Sequence, residues 1–119
     1  MTNFKFTRAV RNADNVLVKC RMKDDVFQVK PMLGGKFEAA NINDYRLIQT
    51  KTIMCMHVDH SMGGKKHFRA GERYQIEQGR VLGGVAGYVF DKDGSRWTLF
   101  REEVGFSAAD TYLFQAKYS

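Results

Sequence analysis

The sequence has one proline, Pro31, in 119 residues, two cysteines, and no long apolar run. Each shortage excludes something. A single proline beside 44% hydrophobic residues is not the composition of a linker or a disordered chain. No stretch approaches the roughly 18 apolar residues of a membrane helix. The opening MTNFKFTRAVRNADN has no apolar signal-peptide core, so a cytoplasmic protein away from the membrane is expected. Cys20 and Cys55 match no zinc spacing, and reduced, buried thiols are expected of them. Catalytic signatures are also missing. The glycines between positions 79 and 87 lack the order of a phosphate-binding loop. The adjacent acids Asp24-Asp25 and Glu102-Glu103 would face opposite sides of a strand, or water in a turn, which suits acid–base chemistry poorly. Neither cysteine sits in a nucleophile elbow. The expectation is a protein that is not an enzyme and needs no cofactor.

What the chain does have is positive charge, placed unevenly. From Met1 to Ala70 there are 13 Lys and Arg against 6 Asp and Glu; from Gly71 to Ser119 the count is 6 against 7. A basic leading portion favours an anionic partner, either nucleic acid or an acidic protein surface.

Strand patterns dominate. In NVLVKCRMKDDVFQVK, residues 15–30, Val16, Val18, Cys20 and Met22 alternate with Leu17, Lys19, Arg21 and Lys23. Asp24-Asp25 reads as a two-residue turn, which sets Met22 against Phe27, Cys20 against Val29, Arg21 against Gln28 and Lys19 against Lys30. The hairpin then has one apolar and one cationic side, and a one-residue slip would bury the basic groups. Residues 37–45, FEAANINDY, fit either a helical turn or a loop. Residues 46–58, RLIQTKTIMCMHV, read as one long strand, and DHSMGGKK after them as a loop. A strand centred on Tyr74 and Ile76 follows, then a glycine-rich stretch suggesting bulges. YVFDKDGSRWTLF, residues 88–100, reads as a hairpin about Asp93-Gly94, which pairs Phe90 with Trp97, Asp91 with Arg96 and Tyr88 with Leu99. That places three aromatics and a leucine on one face, the area a small barrel needs for its core. At the end, Ser107 and Asp110 fit a helix cap, while the alternation of Tyr112, Phe114 and Ala116 favours a closing strand. The fold class expected is mainly β, or α+β with one short helix: a small antiparallel barrel or sheet in a single domain, with a basic β-rich part over 1–65 and a barrel part over 66–119.

Phe68, Gly71, Tyr74, Ile76, Val89, Phe90, Asp91, Asp93, Gly94 and Leu99 together form a strand, turn and hairpin pattern. The stretch Phe68 to Phe100 resembles small phage-encoded accessory proteins with an SH3-like barrel in their second half. The resemblance implies an SH3-like barrel, a bacterial cytoplasm as the place of action, and a protein that binds and disables a host enzyme or defence component. Fold likeness of this kind carries little functional information by itself.

Candidate site residues follow from charge and chemistry. Lys19, Arg21, Lys23 and Lys30 form one cationic strip; Lys65, Lys66, His67 and Arg69, beside Phe68 and Tyr74, form another. Cations grip phosphates or carboxylates, and a flanking ring can stack a base. Cys55, His57 and His60 form a weak metal candidate, because a regular strand would send Cys55 and His57 to the same face. No second ligand pair follows, so Cys55 reads as core and no metal is expected. The leading functional expectation is a non-catalytic inhibitor docking on an acidic surface of a host protein. The alternatives are a small basic nucleic-acid-binding barrel and a ligand-sequestering oligomer with glycines lining a pocket between protomers.

Overall fold

The computed structural model describes residues 4–58, 67–77, 85–102, 105–109 and 112–115. The chain divides into two compact units, Met1–Thr50 with Asp93–Ser95, and Lys51–Lys92 with Arg96–Ser119. Nearly all regular structure is antiparallel β, as the alternating patterns predict.

The first unit is a five-stranded sheet in the order β4-β3-β2-β1-β5. Its strands are β1 (Arg8–Arg11), β2 (Leu17–Lys23), β3 (Val26–Pro31), β4 (Glu38–Ala39) and β5 (Tyr45–Ile48). The β2–β3 register is the one the alternation predicts: Lys19 against Lys30, Cys20 against Val29, Arg21 against Gln28 and Met22 against Phe27. Asp24 and Asp25 both take positive φ, 52° and 62°, as the two central residues of a type I′ turn require. One face packs Ala9, Val18, Cys20 and Phe27 with Phe4, Val29, Tyr45 and Leu47. The ambiguous stretch 37–45 resolves into β4 and a single 3₁₀ turn, Ile42–Asp44, capped by the Asn41 side chain, which accepts from the Asn43 N–H.

The second unit is a closed six-stranded barrel in the order β10-β11-β6-β7-β8-β9. Its strands are β6 (Thr52–Val58), β7 (Arg73–Glu77), β8 (Val85–Phe90), β9 (Arg96–Glu102), β10 (Gly105–Ala108) and β11 (Tyr112–Phe114). Phe68 lies at its centre, fully buried, with the rings of Tyr74, Tyr112, Phe114 and Trp97 edge-on at 4.8, 4.9, 5.2 and 5.6 Å. Edge-to-face contact suits the ring quadrupoles, so the cluster gains more than buried area alone. The C-terminal segment closes the barrel as a strand. Ser107 lies within β10, its hydroxyl donating to Glu102 Oε1 at 2.6 Å, instead of capping a helix.

Three expectations need correction. The stretch 46–58 is two strands, β5 in the sheet and β6 in the barrel, separated at Gln49–Lys51. The hairpin of residues 88–100 does not turn at Asp93-Gly94 alone. Val89 faces Trp97 and Phe90 faces Arg96, leaving a five-residue connection, Asp91–Ser95. Its polar groups are engaged elsewhere: the buried Asp91 carboxylate accepts from Trp97 Nε1 at 3.1 Å, and the Gly94 carbonyl accepts from the Leu17 N–H at 2.8 Å. The shifted register puts Val89, Trp97 and Leu99 inward and Tyr88, Phe90 and Arg96 on the other face, where the Arg96 guanidinium lies 3.9 Å from the Tyr88 ring. So the aromatics divide between two faces. Lastly, β6 carries a bulge opposite Leu113 and Phe114. A bulge reverses the inside–outside phase, so Cys55 and Val58 are buried while Met56 and His57 are exposed. A bulge also occurs in the glycine-rich stretch, between Val85 and Gly87; the loop expected over 59–66 lies outside the described residues.

Candidate cationic binding face

Direct opposition in an antiparallel sheet places side chains on the same face. Arg8 opposes Lys19, and Lys19 opposes Lys30. The three cations therefore stand in a row across β1, β2 and β3, spaced by the roughly 4.8 Å between strands. Arg21 and Lys23 continue the same face along β2, each two residues on. Arg21 Nε donates to Gln28 Oε1 at 2.8 Å, which fixes the guanidinium plane, and its carbon sits 4.0 Å from the Phe37 ring centre. Lys30 Nζ lies 5.4 Å from the same ring. Phe37 thus serves two cations at once.

Among the described residues, none of Arg8, Lys19, Arg21, Lys23 and Lys30 belongs to an ion pair. Asp24 and Asp25 stand in the exposed turn that joins β2 to β3. Glu38 opposes Val29 and so lies on the other face. A row of like charges opposes folding by a few tenths of a kcal/mol per neighbouring pair, or about 1 kcal/mol at most. A bound anion would relieve that repulsion.

Sequence reasoning found four of these five cations. It missed Arg8, because RAVR is too short to show a period, and only the β1–β2 register brings Arg8 beside Lys19. It also missed Phe37, whose position depends on the loop before β4.

The other strip fares differently. Lys65 and Lys66 lie outside the described residues. Arg69 is exposed and His67 Nδ1 lies 3.4 Å from the buried Asp91 carboxylate, but Phe68 and Tyr74 are core residues. Tyr74 is 4% exposed, and its hydroxyl accepts from the Arg69 N–H at 2.7 Å and donates to Glu72 Oε2 at 2.9 Å. No ring face is open to a base there. The Glu72 carboxylate is held below its ordinary range by Lys92 first, at 2.9 Å, and by Tyr74 second.

The metal candidate separates. Cys55 is buried, its thiol directed at the His57 carbonyl at 3.8 Å, while the His57 ring is exposed; His60 lies outside the described residues. Among the described residues no group of three or more His, Cys, Asp or Glu is placed to hold a metal. Both cysteines are free and buried. Burial pushes the Cys20 thiol up to about 11, with the Arg8 charge acting weakly the other way, and pushes the Cys55 thiol up as well. Thiols held neutral in this way are poor nucleophiles.

These shifts give a prediction. The Cys20 thiol moves from 9.0 to about 11 and the Tyr74 hydroxyl, chiefly by burial, from 10.0 to about 12. In each case the unfolded chain loses its proton first. Stability is therefore intact below about pH 9 and falls as pH rises through the window between unfolded and folded values. Urea midpoints measured near pH 8 and about pH 10.5 should show the drop at the higher pH, and Cys20→Ala should reduce the slope. A flat profile would contradict the burial of both groups. As to relatives, no protein-family model matches the chain, and neither the curated proteins nor the solved structures yield a match.

Proposed function

We propose that the protein is a non-catalytic binding protein whose cationic sheet face docks on an acidic surface of a partner protein. The observation that carries this reading is the row Arg8, Lys19, Lys30, extended by Arg21 and Lys23, with none of the five in an ion pair among the described residues. The cations are set on strands instead of loops and are oriented by Phe37 and Gln28, so they meet a partner with little side-chain ordering left to do. The resemblance of residues 68–100 to phage accessory proteins extends the proposal to a bacterial host enzyme or defence component, inhibited by occlusion in the cytoplasm.

The nucleic-acid alternative is weaker. Phosphates would suit the cations, but Tyr74 is core and Phe37 is covered by Arg21 and Lys30, which leaves no free ring for stacking in the predicted strips.

The test is charge reversal. Arg21→Glu with Lys23→Glu, at one half-buried and one exposed position, should leave the circular-dichroism spectrum unchanged. The pair should weaken capture of the stoichiometric protein partner from nuclease-treated bacterial lysate by about 100-fold, as loss of two close cross-interface charge contacts implies. Affinity of the unmodified protein should also fall steeply between about 0.1 and 0.5 M salt. Recovery of DNA or RNA in place of a protein when the nuclease is omitted would transfer the face to phosphate recognition, and undiminished capture by the double variant would remove the face from the account.

A further inference from the structure

The outer edge of the first sheet carries a feature separate from its cationic face. β1 divides its backbone hydrogen bonds between two neighbours. On the β2 side, Thr7 C=O accepts from Cys20 N–H and Arg11 N–H donates to Val16 C=O; on the β5 side, Asn12 N–H donates to Asp44 C=O. Counting by twos, Arg8 and Val10 turn toward β5, opposite Ile48 and Arg46. The intervening β5 residues, Tyr45 and Leu47, therefore turn their backbone groups away from the sheet. β5 is the terminal strand of the order, and the Tyr45 N–H is taken by the Ile42 carbonyl. Among the described residues, the Leu47 N–H, the Leu47 C=O and the Tyr45 C=O have no backbone partner.

Beside this edge lies an apolar cavity of about 600 Å³, lined by Phe4, Phe6, Ile42, Leu47 and Ile48, with Lys5 also in its wall. Phe6 and Ile42 each expose 37% of their surface. Unsatisfied strand edges next to exposed apolar side chains are the ingredients of strand addition: backbone bonds supply affinity and a pocket for alternate side chains supplies selectivity.

The charge around the edge selects the occupant. Two cations, Lys5 and Arg46, and one acid, Asp44, stand at or next to this edge and its cavity. Lys5 lines the cavity, and Arg46 sits on β5 itself, held by Asn12 Oδ1 and Asn15 Oδ1 at 3.0 Å each. A second copy pairing edge to edge about a two-fold axis would add its own Lys5 and Arg46 to the positive charge already there. We infer that β5 is a strand-addition site for an extended partner peptide with apolar residues at alternate positions and acidic flanks. The peptide's carbonyl would accept from Leu47 N–H, its amides would donate to Leu47 C=O and Tyr45 C=O, and one apolar side chain would enter the cavity.

The experiment uses the full chain and a fluorescein-labelled peptide of alternating valine and threonine flanked by glutamates. Binding should slow amide exchange at Leu47 by about tenfold or more at saturation, since the proton becomes part of a ladder. Phe6→Asp and Ile42→Glu, both at partly exposed positions, should each weaken peptide binding by about tenfold, while a peptide N-methylated at alternate residues should lose binding altogether. Arg21→Glu with Lys23→Glu should change peptide affinity by less than about threefold, which separates this site from the docking face. Absence of peptide binding, unchanged exchange at Leu47, equal binding of the N-methylated peptide, or equal binding of a lysine-flanked peptide would each overturn the inference. So would a peptide-free dimer with Leu47 already protected, because the occupant would then be a second copy.

Discussion

Phe68→Ala should unfold the barrel at urea concentrations where the unsubstituted protein stays folded. Phe68 is fully buried and touches four other rings, so its removal leaves a cavity walled by stiff aromatics that cannot collapse into it. Buried phenylalanine truncations lose about 3–5 kcal/mol, and each lost edge-to-face pair adds up to about 1 kcal/mol at first order. Domains of this size are stable by only about 5–15 kcal/mol in total, so the midpoint should fall by about 1 M urea or more. Trp97 is a built-in reporter, half-buried and 5.6 Å from the Phe68 ring, and its emission should shift to the red through the transition. Phe68→Leu, which keeps most of the volume, should lose less than about half as much. An unchanged midpoint for Phe68→Ala would mean that this ring is not the centre of the barrel core.

The second large effect is expected at Gly105, at the start of β10. Its φ is +93°, and a Cβ placed there would run into the Phe114 carbonyl oxygen of the neighbouring β11. A backbone oxygen within a ladder has no soft route away. Gly105→Ala should therefore combine left-handed strain of about 1–2 kcal/mol with a steric penalty of similar size, a total of roughly 2–4 kcal/mol measured by urea unfolding. Gly71 supplies the control. Its φ is +88°, yet nothing lies within 4 Å of its Cβ position. Gly71→Ala should show the strain alone, about 1–2 kcal/mol. Equal losses at the two sites would show that β11 yields to make room.

The contrast between the two hairpins shows what the sequence could convey. β2 and β3 alternate cleanly on both sides of a two-residue turn, one face needs water and the other needs cover, and a single register satisfies both. Hence Lys19, Arg21, Lys23 and Lys30 were legible as one strip before any coordinates. At β8 and β9 the same kind of reading slipped by one residue. Asp91 reads as a strand residue opposite Arg96, but it lies in the connection, buried, with its carboxylate held by Trp97 Nε1, and burying that pair outranks the local preference for a turn at Asp93-Gly94. The bulge at Met56 is hidden for a similar reason: nothing local in IMCMHV announces that its partner strand, Tyr112–Phe114, is one residue short. Arg8 and Phe37 join the candidate face only through pairing and loop closure. Tyr74 was read as a surface ring because its neighbours are charged; the hydroxyl is what reaches them, while the ring points to the core.

Closure of the barrel has a kinetic consequence. β6 pairs with β11, joining residues 52–58 to 112–114. Such a contact closes a loop of more than fifty residues, and the entropy of bringing the ends together must be met before the contact returns any energy. The β2–β3 hairpin needs only a two-residue turn and belongs to events of about 1–10 μs, whereas topologies rich in distant pairings fold in about milliseconds to seconds. The sheet hairpin should thus form early, and until Tyr112 to Phe114 dock, β6 and β10 remain open borders at which a nascent chain is most exposed to misassociation.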